Sequence, residues 1–258
     1  WRIIYGVTLT IFLVLLFFNP VKITKGAVSA FAIGIVFFCT AYMFFSGNKL
    51  LKRLSIPFLA LMIIGGVFIV KIYYFKDAPF NLLNIPDRSR QIVWSMGFKA
   101  WLERFWFGWG WENFNVPFAK YYNPELPTTG DIWYDRVHNV VLDTAVSSGI
   151  IGLVSYLAIF GVAIFSLWHS SKFDLIQTLE GKSGRAPLVR DKFLISLALI
   201  TLLIVYFLQN LWVFDMISSY VMFFITLAFI GFLVYPQPPH GNHKILPLNA
   251  FAGSFLLV

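Results

Sequence analysis

Residues 150–168 read IIGLVSYLAIFGVAIFSLW, a stretch without a single charge. A run of about 18 or more apolar residues is long enough for a helix to cross the hydrocarbon core of a bilayer. Inside that core the backbone must satisfy its own hydrogen bonds, and a helix does so within one segment. Working outward, runs of the same kind lie at Ile3–Phe18, Ala27–Ser46, Ile56–Phe75, Phe193–Phe214 and Ile217–Tyr235, and another starts near Ala250. They predict an all-α fold, a polytopic transmembrane helical bundle forming one domain over 1–258.

Composition points the same way. Of the 258 residues, 59% are hydrophobic and 12% charged, where a soluble domain carries about 25% charged residues. The formal net charge of +8 fits either nucleic acid or an anionic membrane surface. The basic residues sit mostly in short loops between apolar runs, which favours topology control, with membrane lipids and no nucleic acid as partners. The single cysteine, Cys39, excludes an intramolecular disulfide. The chain starts at Trp1 and stops at Val258 inside a fresh apolar run, so a longer multi-span protein is expected.

Basic loops set the orientation. Lys49, Lys52 and Arg53 occupy one loop, and Lys172, Lys182, Arg185, Arg190 and Lys192 another. Positive loops stay cytoplasmic. The long segment 76–149 then lies outside, as an extracytoplasmic loop expected to carry the catalytic groups. Within it a helix is predicted from Arg88 to about Trp106, with Asp87 as its N-cap. Trp94, Phe98, Trp101 and Phe105 fall on one face and Gln91, Ser95, Lys99 and Glu103 on another, the pattern of an amphipathic helix in the membrane interface.

Several soluble-enzyme motifs fail. Gly181-Lys182-Ser183 lacks the earlier glycine of a phosphate loop, since Ile176 stands in its place. The spacing of Asp131, Asp135 and His138 is not that of a specific metal site, and none is expected. Three other features lie in order along the outer segment. They are Arg90-x-x-x-Trp94, then Phe107-Gly108-Trp109-Gly110-Trp111-Glu112-Asn113-Phe114, then Trp133-Tyr134-Asp135-Arg136-Val137-His138-Asn139. Leu142-Asp143 and Gly149-Ile150-Ile151-Gly152-Leu153 follow.

This set resembles the O-antigen ligase and polymerase family of bacterial surface-polysaccharide assembly. That family's pattern is an Arg and Trp, then Gly-x-Gly-x-x-x-Phe, then His-Asn, then Gly-x-x-Gly-Leu entering a helix. The match runs from Arg90 to Tyr156, and Gln209–Asp215 looks like the family's later hairpin. One departure is Phe105-Trp106-Phe107, where relatives often carry a Pro. The resemblance implies a glycosyltransferase of the bacterial inner membrane, working on its outer side. The implied donor is a lipid-linked oligosaccharide on a polyprenyl pyrophosphate. The acceptor is a hydroxyl on a glycolipid, a glycan or a protein, and no cofactor or metal is implied.

The residue types suit that chemistry. Arginine stays protonated and forks onto phosphate oxygens, and fixed cations where charge grows lower a barrier. Arg90 is the first candidate, followed by Arg136 and Arg88. Neutral histidine can take a proton from an attacking hydroxyl, which makes His138 the candidate base, oriented by Asp135 or Asn139. Each has a plainer reading: His138 as a hydrogen-bonded cap of the next span, Arg136 paired with Asp135 or Asp131, and Arg88 as structural. A transporter is the competing class. It would need charged or broken spans, for which only Gly65-Gly66 offers a break.

Overall fold

The computed structural model describes residues 25–46, 48–74, 88–179 and 186–235. Its helices are α1 (Lys25–Phe45), α2 (Lys49–Tyr74), α3 (Arg88–Glu103), α4 (Asn115–Lys120), α5 (Val140–Leu179), α6 (Ala186–Asn210) and α7 (Ile217–Val234), with a 3-10 turn at Leu126–Thr129. Among the described residues there is no strand. The expected run Ile3–Phe18, the run starting near Ala250, the Asp87 cap and the Gly181–Ser183 stretch lie outside the described residues.

Among the described residues, five helices are long and apolar enough to cross a membrane. On α2, Ile56, Leu61, Ile64 and Phe68 are 68%, 68%, 67% and 62% exposed. Such a surface is costly in water and costs nothing against lipid tails, which are as apolar as the side chains. Gly65-Gly66 does not break α2, which is helical throughout that stretch.

Two hydrophobic clusters organise the chain. One joins α5, α6 and α7 through Phe160, Leu167, Ile200, Leu203, Phe223 and Ile230. The other belongs to the segment between α2 and α5 and gathers Ile92, Val93, Met96 and Ala100 of α3 with Phe114, Phe118, Leu126 and Val137, together with Val146 of α5. The side of α3 that packs is therefore Ile92, Val93, Met96, Gly97 and Ala100. The aromatic stripe expected to define one face is split: Trp94 and Trp101 pack against this cluster, while Phe98 is largely exposed. α3 ends at Glu103, shortly before the expected Trp106.

α5 is the longest element and starts ten residues before the predicted span, at Val140 rather than Ile150. Its apolar stretch, Val140–Ser171, has 32 residues, about 48 Å of helix at 1.5 Å per residue, well beyond the ~30 Å hydrocarbon core. The helix is interrupted at Gly149, where φ is +67° and ψ −167°. The break is filled by the glycine turn that follows α3. Trp109 and Gly110 donate their N–H groups to the carbonyls of Val146 (2.7 Å) and Ser147 (2.8 Å), and Ile150 donates to Phe105 (2.8 Å). These are the groups a helix leaves unpaired where it stops and restarts. Glycine is needed on both sides of the joint. A Cβ on Gly108 would lie 2.5 Å from the Val146 carbonyl oxygen, and one on Gly149 would lie 2.2 Å from that of Trp106.

The two ends of the bundle differ. Phe45, at the end of α1, packs on Trp168 and Phe193, so the Lys49–Arg53 stretch shares an end with the α5–α6 connection. At the other end Gly26 of α1 lies against Trp212, in the turn between α6 and α7. The α3 segment packs at this second end, where Trp94 meets Trp212 with ring centroids 5.9 Å apart.

Candidate active site

The segment before α5 runs from Trp133 to Asn139. Asn139 caps α5: its Oδ1 accepts the N–H groups of Val141 and Leu142, each at 3.1 Å. Its Nδ2 donates to the Leu211 carbonyl at 3.0 Å. One side chain thus satisfies two orphan donors of the helix and ties the outer segment to the α6–α7 turn.

Arg136 is held from several sides. Its Nε and Nη2 both donate to Asp143 Oδ2, at 3.0 and 2.6 Å, and its Nη1 reaches Glu112 Oε1 at 3.3 Å. The guanidinium also lies 4.9 Å from the Phe214 ring centroid. Only 14% of the Arg136 side chain is exposed, and Asp143 is buried. Burial works to lower the Arg136 pKa, but the Asp143 hydrogen bond and the charges of Asp143 and Glu112 outweigh it and leave the pKa raised. The expected partners of Arg136 were Asp135 or Asp131. Asp135 instead stands exposed on the surface, and Asp131 accepts the Tyr134 hydroxyl at 2.8 Å. Asp143 lies two helical turns' worth of chain away, but the turn into α5 brings it back beneath the arginine.

His138 sits in the left-handed region, φ +57°. Its Nδ1 is 2.9 Å from the Arg136 carbonyl oxygen. A carbonyl can only accept, so this nitrogen carries the proton in the neutral ring, and Nε2 is left with its lone pair. The orienting group is therefore the Arg136 backbone. The ring is clamped edge to face between Tyr134 (5.0 Å, 83°) and Phe214 (4.9 Å, 84°). The other non-glycine residue at positive φ among the described residues is Glu112, φ +60°, which contacts Arg136. Each such conformation costs on the order of 1–3 kcal/mol, and these strains gather at functional sites. Here both flank one arginine.

Arg90 is half-buried in the first turn of α3. It precedes Trp94 by one turn and shares its face, the face that meets Trp212 of the α6–α7 turn. That turn also supplies Phe214. Arg88 lies apart. It forks onto Glu125, Nε to Oε1 at 2.8 Å and Nη2 to Oε2 at 2.9 Å, in an exposed pair. The pair raises the pKa of Arg88 and lowers that of Glu125, in both cases chiefly through the hydrogen bond.

His138, Arg136, Asn139 and the α6–α7 turn thus form one cluster, roofed by Phe214 and Tyr134. A model of the O-antigen ligase family matches residues 4–157, more than half of the chain. The chain belongs to the O-antigen ligase family. The matched region takes in the glycine turn, the His138-Asn139 pair and the Gly149 break of this family member, and it stops short of the Gln209–Asp215 turn. No curated protein matches the chain. Family and helices together make it an O-antigen ligase or polymerase type of multi-pass membrane protein.

Asp143, Glu112, Tyr134 and Phe214 lay within the motifs read from the sequence but were given no role there. Asp143 and Glu112 carried a signal, as acids in a segment rich in arginine. Phe214 lay within the Gln209–Asp215 hairpin, but nothing in the sequence placed that hairpin against His138. Among the described residues no three His, Cys, Asp or Glu side chains gather in a way that could hold a metal ion.

Proposed function

We propose that the protein is a membrane glycosyltransferase that moves a glycan from a polyprenyl pyrophosphate carrier to an acceptor hydroxyl on the outer side of the bacterial inner membrane. The carrying observation is the 2.9 Å contact of His138 Nδ1 with the Arg136 carbonyl oxygen, which in the neutral ring leaves the Nε2 lone pair as the acceptor. The acceptor hydroxyl attacks the anomeric carbon and gives its proton to Nε2. The bond from that carbon to the pyrophosphate oxygen breaks, and its electron pair leaves with the pyrophosphate.

The charge released has to be met. Arg90 is the assigned contact for the pyrophosphate. Arg136 contributes less of its charge, because Asp143 neutralises it. Its main part is to hold the backbone carbonyl that fixes His138, with one edge facing Glu112, a 76% exposed partner that can turn away. Asn139 and Asp143 then act as positioning residues. The outward placement of the site is supported by the basic Lys49–Arg53 stretch at the opposite end of the bundle.

Complementation tests the reading. The full-length protein is expressed with His138→Ala or Arg90→Ala in a strain lacking its own copy, and surface glycan is scored against the amount of protein in the membrane. Loss of glycan with accumulation of its lipid-linked precursor is expected for both. Unchanged glycan at equal protein would remove His138 from the chemistry and reopen a transport function.

A further inference from the structure

A polar cleft of about 440 Å³ opens at the start of α3, lined by Arg88, Ser89, Thr128, Thr129 and Asp131. Tyr134 links its lining to the His138 site. The Tyr134 ring packs on His138, while the hydroxyl at its far end lies 2.9 Å from Ser89 Oγ and 2.8 Å from Asp131 Oδ2. The floor is fixed from below by the 3-10 turn, whose Leu126 is fully buried.

The lining has a chemical bias. The Thr128 hydroxyl donates to the Glu125 carbonyl and the Thr129 hydroxyl to the Leu126 carbonyl, both at 2.7 Å. A hydroxyl with its proton so committed offers lone pairs only. Asp131 adds a carboxylate, an acceptor when ionised. Arg88 is the lining cation, and Glu125 already meets its charge. Three of the five lining side chains, Thr128, Thr129 and Asp131, thus present acceptors, which favours a ligand that brings its own donors, and the pairing of Arg88 with Glu125 weakens its pull on anions such as phosphate.

We propose that this cleft is a sugar subsite, binding a pyranose unit through its hydroxyl protons on the far side of Tyr134 from His138. It rests on the glycan-transfer reading above. The sugar belongs either to the donor glycan or to the acceptor, which present the same chemistry.

The test uses the full-length protein in lipid nanodiscs, with the host strain's own lipid-linked glycan as donor and the same oligosaccharide freed of lipid as a binding probe. Thr128 is exposed, so Thr128→Trp fills the cleft without touching His138, Arg90 or Arg136, and Thr128→Val keeps the shape while removing the lone pairs. The free oligosaccharide should give saturation-transfer NMR signals with the wild type that are lost with Thr128→Trp and weakened with Thr128→Val. In transfer assays Thr128→Trp should raise one KM by roughly tenfold at little-changed kcat, the mark of lost uniform binding. A rise in the donor KM places the sugar in the donor, and a rise in the acceptor KM places it in the acceptor. Equal NMR signals from all three proteins overturn the proposal, as does a fall in kcat with both KM values unmoved. His138→Ala run alongside separates the two claims: if it still transfers glycan, the assigned chemistry fails while the NMR comparison still decides the cleft.

Discussion

Replacing Gly149 with alanine should unlatch the outer segment from the bundle. The backbone there combines φ +67° with ψ −167°, a region that is essentially glycine's alone and costs other residues about 1–3 kcal/mol. The added Cβ would also fall 2.2 Å from the Trp106 oxygen, 2.3 Å from its carbonyl carbon and 2.5 Å from the Phe107 nitrogen. All three are backbone atoms, so no side chain can swing aside. Relief requires the glycine turn to retreat, which breaks the bonds from Trp109, Gly110 and Ile150, each worth about 0.5–1.5 kcal/mol net. A local destabilisation of about 3 kcal/mol or more follows, on the order of a hundredfold in the opening equilibrium. Hydrogen exchange by mass spectrometry on protein in nanodiscs reads this directly, in peptides covering 105–110 and 146–150. Gly161→Ala is the control, since nothing lies within 4 Å of its added Cβ. Unchanged protection of those peptides in Gly149→Ala would show that the turn and the break do not hold one another.

Other outcomes follow from the same contacts. Asp143→Asn leaves the Arg136 charge, 14% exposed, without its buried anion and with only the exposed Glu112 beside it; a thermal shift corresponding to about 3 kcal/mol is expected, near the low end for breaking a buried pair, and a change under about 1 kcal/mol would contradict the burial argument. Phe214→Leu removes one ring from His138 and the face beneath Arg136; it should lower kcat more than it lowers stability, where about 1 kcal/mol is expected. The Arg88–Glu125 clamp should open in acid. Glu125 has its pKa held below 4.5 by Arg88, so its contribution is present above the unfolded value and is lost as pH falls through the depressed one. Protease cleavage near residues 121–130 should rise only below that range, and Glu125→Gln should remove the pH dependence.

Much of the bundle was legible because lipid imposes a simple rule on composition. Ile217–Tyr235 and Ala27–Ser46 were placed to within two residues of α7 and α1. The start of α5 was not, because an apolar window discards Asp143, Thr144, Ser147 and Ser148. Asn139 in front of Val140-Val141-Leu142 was a readable cap signal that the window outweighed. The glycines were seen as a pattern, but their partnership was hidden: backbone meets backbone at Gly108 and Gly149, and such a contact leaves no mark beyond the missing side chains. At the candidate site, His138 was singled out from the sequence as a candidate base, but the carbonyl its ring meets was not, since a left-handed turn decides which backbone oxygen the ring finds. Arg136 was paired with its sequence neighbours for want of the turn into α5 that delivers Asp143.

The break at Gly149 also sets a height. Below it, residues 150–171 make about 33 Å of helix, the thickness of a hydrocarbon core with a little tilt. Above it, residues 140–148 lift Asn139 and His138 by at most about 13 Å. Headgroups occupy some 5–7 Å on each side of a bilayer. The nine residues between the cap and the break thus act as a spacer that holds His138 and Asn139 clear of the apolar stretch that follows Gly149.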